Sequence, residues 1–237
     1  MIQAIITDIE GTTSSLAFVK ETLFPYARDH IEEFVHAHEN DILIRRALDE
    51  AANIIGVESP DTNQIVRSLI QWIDEDKKIT PLKTIQGLLW EQGYRNGHFK
   101  GHIYEDAVHN LKKWKDNDIR LYVFSSGSIH AQKLLFGHTE FGDLNPLFSG
   151  YFDTNIGSKT SVNSYRRISE EIAVKPEHCL FLSDIKQELE AAHLAGMYPI
   201  WLVRCEEIDP EAEYKQIPDF GGIDPENIGK STTSTHD

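Results

Sequence analysis

The chain has 237 residues, 40% of them hydrophobic and 26% charged, which is typical of a globular protein with a sizeable core. Its formal net charge of −15 argues against partners that present phosphate backbones or anionic lipids, so we expect neither nucleic-acid nor membrane binding. The sequence shows no secretory signal and no apolar run of about 18 residues, and we therefore predict a cytoplasmic protein.

The first predicted element is the strand "AIIT" at residues 4–7, which is almost entirely apolar. Continuous apolarity is typical of a parallel-sheet strand that is buried on both faces. Asp8 and Glu10 follow this strand, and Gly11 then allows the chain to turn without a Cβ clash. Two carboxylates therefore stand where a buried strand meets solvent.

Residues 14–105 follow, and four stretches of this segment repeat their apolar residues at helical spacing. In the first stretch, charged residues separate the apolar positions Leu23, Ala27, Ile31, Phe34 and Val35. A connection of this length is far longer than a crossover between two parallel strands needs. We therefore predict a helical cap domain that is inserted after the first strand.

Strands are also predicted at "IRLYVF" (119–124), "CLFL" (179–182) and "PIWLV" (199–203), with a further short strand near Tyr151 and Phe152. Helical patterns lie between them, so the fold class is α/β, with a doubly wound parallel-sheet core. The predicted domains are a core of 1–13 and 106–225, a helical cap of 14–105 and a flexible tail of 226–237. Cys179 and Cys205 lie in apolar contexts without metal-binding spacing, and we expect two buried free thiols.

Polar residues follow the predicted strands, and ligands of open parallel sheets bind outside the carboxyl ends of the strands. Each of these residues also has a structural explanation when taken singly, as a turn residue, a helix cap or a solvated side chain. Taken together, carboxylates, hydroxyls and a lysine at one edge of the sheet predict a site for phosphate and metal. The residues of this predicted site are Asp8, Glu10, Ser125, Ser126, Lys159 and Asp184.

The motifs resemble those of the haloacid-dehalogenase-like phosphatases, in which D-x-[D/E]-G-T follows the first strand and a serine, a lysine and an acidic residue follow later ones. The inserted helical cap is also that superfamily's arrangement. The segments "DIEGTT", "VFSSGSIHAQKLLFGHT", "GYFDTNIGSKT" and "LFLSDIKQE" are more narrowly similar to the enolase-phosphatase family of methionine salvage. The resemblance covers nearly the whole chain except the tail. It implies enolisation of 2,3-diketo-5-methylthiopentyl 1-phosphate and its dephosphorylation to the acireductone, with one Mg²⁺ per subunit.

Chemistry assigns a role to each residue of the site. Asp8 is the expected nucleophile, because a carboxylate attacks phosphorus without a partner base and forms an aspartyl-phosphate. Glu10 is the expected general acid and base. Lys159 and Ser125 are expected to stabilise the transferring phosphoryl group, and Ser126 to bind substrate.

The family pattern further implies that Mg²⁺ is bound by Asp8, Asp184 and the backbone carbonyl of Glu10. Glu188, one helical turn after Asp184, is expected either to support this metal site or to lie at the surface. The residues do not identify the base that enolises the substrate; Glu10 and a residue of the cap are both open.

Two alternatives to this function stay open. One is a phosphatase of the same superfamily that acts on another small phosphorylated metabolite, and the other is a degenerate module that binds such a metabolite without hydrolysing it. A dehalogenase is disfavoured, because that chemistry needs neither a metal nor an acid two residues after the nucleophile. In each case the partner is a small phosphorylated metabolite, and we expect a monomer.

Overall fold

A computed structural model describes residues 1–56, 58–204 and 207–228. Cys205 and the part of the predicted tail from residue 229 onward lie outside the described residues. The described residues form two compact units. The first comprises Met1–Ser15, His102–Ile129 and the described residues from Phe141 onward, and the second comprises Leu16–Gly101 and His130–Glu140.

The strands and the α-helices of the described residues are each numbered in chain order. The strands are β1 (Ala4–Thr7), β2 (Arg120–Phe124), β3 (Phe148–Phe152), β4 (Cys179–Ser183), β5 (Tyr198–Leu202) and β6 (Gln216–Ile217). The α-helices are α1 (Leu16–Phe18), α2 (Phe24–His38), α3 (Ile42–Ile55), α4 (Thr62–Asp74), α5 (Thr80–Arg95), α6 (Glu105–Asp116), α7 (Ile129–Gly137), α8 (Val162–Glu171) and α9 (Lys186–Leu194). A π-helical turn, Val19–Leu23, joins α1 to α2.

The first unit is built on one parallel sheet with the strand order β3-β2-β1-β4-β5-β6. Strand β1 lies between β2 and β4, and all four of its residues are buried, as its apolar sequence requires. Helices α8 and α9 pack on the sheet through residues such as Tyr165, Ile168 and Leu189. The predicted α/β fold with a doubly wound parallel core is confirmed. Strand β6 was not predicted, because two residues are too few to produce a recognisable apolar run.

The second unit is a helical bundle that contains α2 to α5. Its core contains Ile31, Leu69 and Ile85, all of which are fully buried and come from different helices. Local sequence fixes the helix ends: Asp61 accepts a hydrogen bond from the backbone N–H of Gln64, whose side chain accepts one from the Asp61 N–H, in a capping box. These helices correspond to the four stretches with helical periodicity.

Segment 130–140, which the sequence prediction placed in the core, groups with the helices of the second unit. Leu134 packs with Leu23 and Tyr94, and the backbone N–H of Gly101 donates to the His138 carbonyl at 2.8 Å. These contacts, which join residues distant in sequence, explain why periodicity within the segment did not reveal its neighbours.

No helix in the described residues is both long and apolar enough to span a bilayer. Cys179 is a buried free thiol at the start of β4, and burial raises its pKa to about 12.

Candidate active site

The carboxyl ends of β1 and β4 meet at the centre of the sheet, where the strand order changes direction. Pairing continues one residue beyond β1, because the backbone N–H of Asp8 donates to the Leu182 carbonyl at 2.9 Å. Asp8 is 3% exposed. Its backbone is thus fixed at the crevice in which ligands of doubly wound sheets bind.

A tight turn over Asp8–Ser14, which we call the nucleophile turn, follows β1. The backbone N–H groups of Thr12, Thr13 and Ser14 all donate to the Ile9 carbonyl, at 3.1, 2.9 and 2.9 Å. The Thr13 hydroxyl donates to the carbonyl of Asp8 at 3.0 Å. The turn therefore behaves as one hydrogen-bonded body.

Gly11 in this turn lies directly against Asp184. Its φ of +72° falls in the left-handed region, where glycine is favoured. A Cβ on Gly11 would also overlap the Oδ2 and Cγ atoms of Asp184. Glycine is therefore required twice here, for its backbone conformation and for the space that the carboxylate occupies.

Lys159 lies between two carboxylates in the loop between β3 and α8. Its Nζ is 2.5 Å from Asp8 Oδ1 and 2.7 Å from Glu188 Oε2, and the residue is 6% exposed. Burial by itself lowers the pKa of Lys159, but the two carboxylates outweigh burial and raise the pKa above its ordinary value. Lys159 is therefore a fixed positive charge beside Asp8 at neutral pH.

Glu188, for which the sequence left two roles open, is buried in the first turn of α9 and pairs with Lys159. It also accepts a hydrogen bond from the Ser183 hydroxyl at 2.9 Å. Burial, and next the charge of Asp8, raise the pKa of Glu188 to about 7, although Lys159 acts in the opposite direction. Glu188 thus gives Lys159 a second carboxylate partner beside Asp8 and is not a surface residue.

Asp184 follows β4 and is partly buried. Its backbone carbonyl accepts a hydrogen bond from Trp201 Nε1 at 3.0 Å, whereas its Oδ1 atom is buried and has no hydrogen-bond partner among the described residues. Burial, and next the charge of Asp8, raise the pKa of Asp184 to about 6. An unpartnered carboxylate oxygen beside another carboxylate is suited to a cation.

The two serines that follow β2 occupy different environments. Ser125 is fully buried, and its hydroxyl donates to Glu10 Oε2 at 3.4 Å and accepts from the Gly127 N–H at 3.2 Å. Ser126 is exposed. The sequence therefore located both residues at the site, but only the structure separates a serine joined to Glu10 from one that faces solvent.

Charge is unbalanced in this cluster. Asp8, Glu10, Asp184 and Glu188 contribute four carboxylates, against the single ammonium group of Lys159, which pairs with two of them. No group of three or more His, Cys, Asp or Glu side chains forms a metal cluster in the described residues. The predicted ligand set needs only two such side chains, since its third ligand is a backbone carbonyl, and its oxygen atoms suit Mg²⁺.

Sequence reasoning assigned no role to Thr13 or Ser183, whose hydroxyls hold the Asp8 carbonyl and Glu188. Their position at or near the end of a central strand is the only signal that could have indicated such roles.

Comparison with known proteins agrees with the motifs. The model of the haloacid dehalogenase-like hydrolase family matches residues 2–196. The chain is 55% identical over 226 residues to enolase-phosphatase E1 of Methylococcus capsulatus, covering 95% of this chain and 99% of that relative. It is 48% identical to enolase-phosphatase E1 of Persephonella marina, with coverage of 94% and 99%.

Solved structures also match this chain over most of its length. The crystal structure of the UTR4 protein of Saccharomyces cerevisiae superposes with a TM-score of 0.81 at 32% identity, covering 94% of this chain and 100% of that one. CbbY of Rhodobacter sphaeroides, solved in complex with phosphate, shares the fold, with a TM-score of 0.56, 20% identity and coverage of 94% and 96%. The chain therefore belongs to the haloacid dehalogenase-like hydrolase family and, within it, to the enolase-phosphatases E1.

Proposed function

We propose that this chain enolises 2,3-diketo-5-methylthiopentyl 1-phosphate and then dephosphorylates it to the acireductone of methionine salvage. Similarity to enolase-phosphatases E1 over almost the entire chain supports the reaction. The observation that carries the proposal is a buried carboxylate, Asp8, paired with a buried lysine, Lys159, at the carboxyl end of the central strand. This arrangement suits phosphoryl transfer to a carboxylate.

Asp8 is the proposed nucleophile. A carboxylate oxygen attacks phosphorus, the bond between phosphorus and the substrate oxygen breaks, and an aspartyl-phosphate forms. The bonds from Asp8 N to Leu182 and from Thr13 to the Asp8 carbonyl keep the backbone still during this step. Such preorganisation lowers the entropic part of the barrier.

Lys159 and Ser125 are proposed to stabilise the transferring phosphoryl group. The ammonium group of Lys159 is fixed by two carboxylates, so it needs no reorganisation when charge develops on the phosphoryl oxygens. The Ser125 hydroxyl, now directed at Glu10, can donate to one of these oxygens. Ser126, which is exposed, is proposed to contact the substrate outside the phosphate.

Glu10 is the proposed general acid and base. Its carboxylate is partly buried and within hydrogen-bonding distance of Ser125, two residues from Asp8. It protonates the leaving oxygen in the first step and takes a proton from the water that hydrolyses the aspartyl-phosphate in the second.

Asp8, Asp184 and the Glu10 backbone carbonyl would hold a Mg²⁺ ion, and the unpartnered Oδ1 of Asp184 supports this assignment. When bound, the ion supplies positive charge against the repulsion between carboxylate and phosphate and favours an enolate oxygen on the substrate. A bound Mg²⁺ ion, which we propose at one per subunit, would reduce the excess of carboxylates over the single lysine.

The test follows phosphate release and the ultraviolet absorbance of the enol separately, with Mg²⁺ and with a chelator. We expect both signals with Mg²⁺ and neither with the chelator, and loss of phosphate release in Asp8→Asn. Faster turnover of sugar phosphates than of the diketo phosphate would contradict the substrate, and phosphate without an enol would contradict the enolase step. Undiminished turnover with the chelator would contradict the metal.

Two further properties are proposed on the same basis. The chain is proposed to act as a cytoplasmic monomer on a small phosphorylated metabolite. The predicted domain limits, 1–13 and 106–225 for the core and 14–105 for the cap, remain predictions. Size-exclusion chromatography with light scattering measures the subunit number, for which we expect a mass near 27 kDa.

A further inference from the structure

Arg204, two residues after β5, is hydrogen-bonded to the nucleophile turn. Its Nε and Nη2 atoms both donate to the Thr12 carbonyl, at 3.0 and 2.7 Å. The two residues are 192 positions apart in sequence. The side chain of Arg204 is 9% exposed, so this is a buried charge directed at a backbone carbonyl.

The guanidinium group is also held by a carboxylate and two aromatic rings. Its Nη1 atom donates to both carboxylate oxygens of Asp106, at 2.8 and 3.0 Å. Its Cζ atom lies 4.0 Å from the ring centroid of Tyr104 and 5.3 Å from that of Phe220. Asp106 is itself held, because its Oδ2 accepts the Phe220 N–H at 2.8 Å. A planar group with a rigid fork of donors can make these contacts together, whereas a lysine cannot.

The hydrogen bonds of Arg204 constrain the part of the turn that carries Glu10. Thr12 is separated from Glu10 by Gly11, and the N–H groups from Thr12 to Ser14 share the Ile9 carbonyl. A displacement at Thr12 is therefore transmitted through the turn to Glu10. Asp8 belongs to the same turn but has an additional anchor, because its own backbone N–H is paired with Leu182 of the sheet.

We propose that Arg204 is a positioning residue that holds the carboxylate of Glu10 in the place required for proton transfer, and this inference rests on the proposed function. Arg204 acts through the Thr12 carbonyl. In the described residues its hydrogen bonds and ring contacts are with Thr12, Asp106 and two aromatic rings, and none of these contacts is with Asp8, Lys159 or Asp184.

The dependence of the rate on the leaving group distinguishes this role from a structural one. A general acid is needed where the leaving oxygen is strongly basic, and is dispensable where the leaving group is already a stable anion. Loss of folded protein, in contrast, lowers the rate on all substrates by the same factor. The ratio of the two kcat/KM values measured on one preparation therefore reports on Glu10 as the acid of the first step.

The variant is Arg204→Lys, assayed on the diketo phosphate and on an activated phosphate, either p-nitrophenyl phosphate or acetyl phosphate, whichever the wild type hydrolyses faster. We compare kcat/KM, because it reports on the steps up to loss of the leaving group and excludes hydrolysis of the aspartyl-phosphate, which both substrates share. We expect kcat/KM to fall about 10- to 100-fold on the first and less than about threefold on the second, because misplacing a catalytic group has effects of this size. Arg120→Lys is the matched control: Arg120 also donates to a backbone carbonyl in the same unit, that of Ile172, at 2.8 Å. We expect it to leave both rates unchanged.

Asp106→Asn provides a second variant if Arg204→Lys does not fold, because it keeps Arg204 and weakens its support; we expect the same change of ratio, of smaller size. The double variant should lose less than the product of the single losses, since the two residues act as one unit. Equal losses on both substrates, or no loss on either, would overturn the proposal. A wild-type protein that hydrolyses neither phosphate would instead contradict the proposed function.

Discussion

Replacing Gly11 by alanine tests the contact between the nucleophile turn and Asp184. Gly11 has a φ of +72°, a conformation that costs a non-glycine residue about 1–2 kcal/mol. The added Cβ also overlaps the Asp184 carboxylate, so that this side chain must move. Two effects are therefore expected from one methyl group: backbone strain, and displacement of a proposed metal ligand.

Gly142→Ala separates the two effects. Gly142 belongs to the same unit and has a φ of +84°, but no atom of the described residues lies within 4 Å of a Cβ built there. In the presence of a chelator, Gly142→Ala should lose about 1–2 kcal/mol of unfolding free energy, and Gly11→Ala should lose more, because its Cβ also displaces the Asp184 side chain. Only Gly11→Ala should also bind Mg²⁺ about 10- to 100-fold more weakly, since its ligand is displaced.

The assay is urea unfolding followed by circular dichroism, with a chelator and with increasing Mg²⁺. At saturating Mg²⁺, a 10- to 100-fold weaker affinity lowers the stabilisation by the metal by about 1.4–2.7 kcal/mol. Wild type and Gly142→Ala should gain equally from Mg²⁺, and Gly11→Ala should gain less by this amount. A full gain in Gly11→Ala would refute the reasoning, because Asp184 would then be undisturbed or would not bind the metal.

Three further predictions concern the groups around Asp8. Lys159→Met should lower kcat about 100- to 1000-fold while the fold, followed by circular dichroism, is retained, because one preorganised charge at a transition state contributes this much; a loss below tenfold would contradict its role. Glu188→Gln removes one of the two carboxylates that pair with Lys159 in the described residues and leaves Asp8, and we expect a loss of kcat of about tenfold on the same assay. Ser125→Ala should lower kcat more than Ser126→Ala, since Ser125 is buried beside Glu10 and Ser126 is exposed; the reverse order in parallel phosphate-release assays would show that the wrong serine was assigned to the phosphate.

The positions of Asp8, Lys159 and Asp184 could be predicted because each follows a recognisable strand. Parallel strands place their carboxyl ends at one edge, so an apolar run in the sequence also locates the residue after it. This argument predicts which residues lie at the edge of the sheet, but it does not predict the directions of their side chains. It could not separate Ser125 from Ser126, because the side-chain directions there depend on the turn after β2 and not on the strand.

Contacts made by residues outside strand ends could not be predicted in this way. Glu188 lies four positions after Asp184, but Asp184 precedes α9 and Glu188 is in its first turn, so helical spacing does not show whether the two carboxylates lie at the same site. Arg204 contacts Thr12 across 192 positions, and no periodicity links a single residue to a turn at that distance. The sequence therefore indicated where the chemistry lies, and tertiary packing decided which groups support it.

The negative charge of the site explains why several hydrogen bonds are needed to hold its residues in place. Asp8, Asp184 and Glu188 are buried or partly buried together, and burial raises the pKa of the last two, to about 6 and about 7, which shows that their charged forms are disfavoured in this environment. Folding alone would favour apolar side chains at these positions, because buried carboxylates stabilise a protein less than well-packed apolar groups do. The arrangement becomes favourable only when positive charge enters it, from Lys159 and from a bound cation. The site is therefore suited to bind a cation. The hydrogen bonds of Thr13, Ser183 and Arg204 hold the surrounding residues in place against the repulsion between the carboxylates.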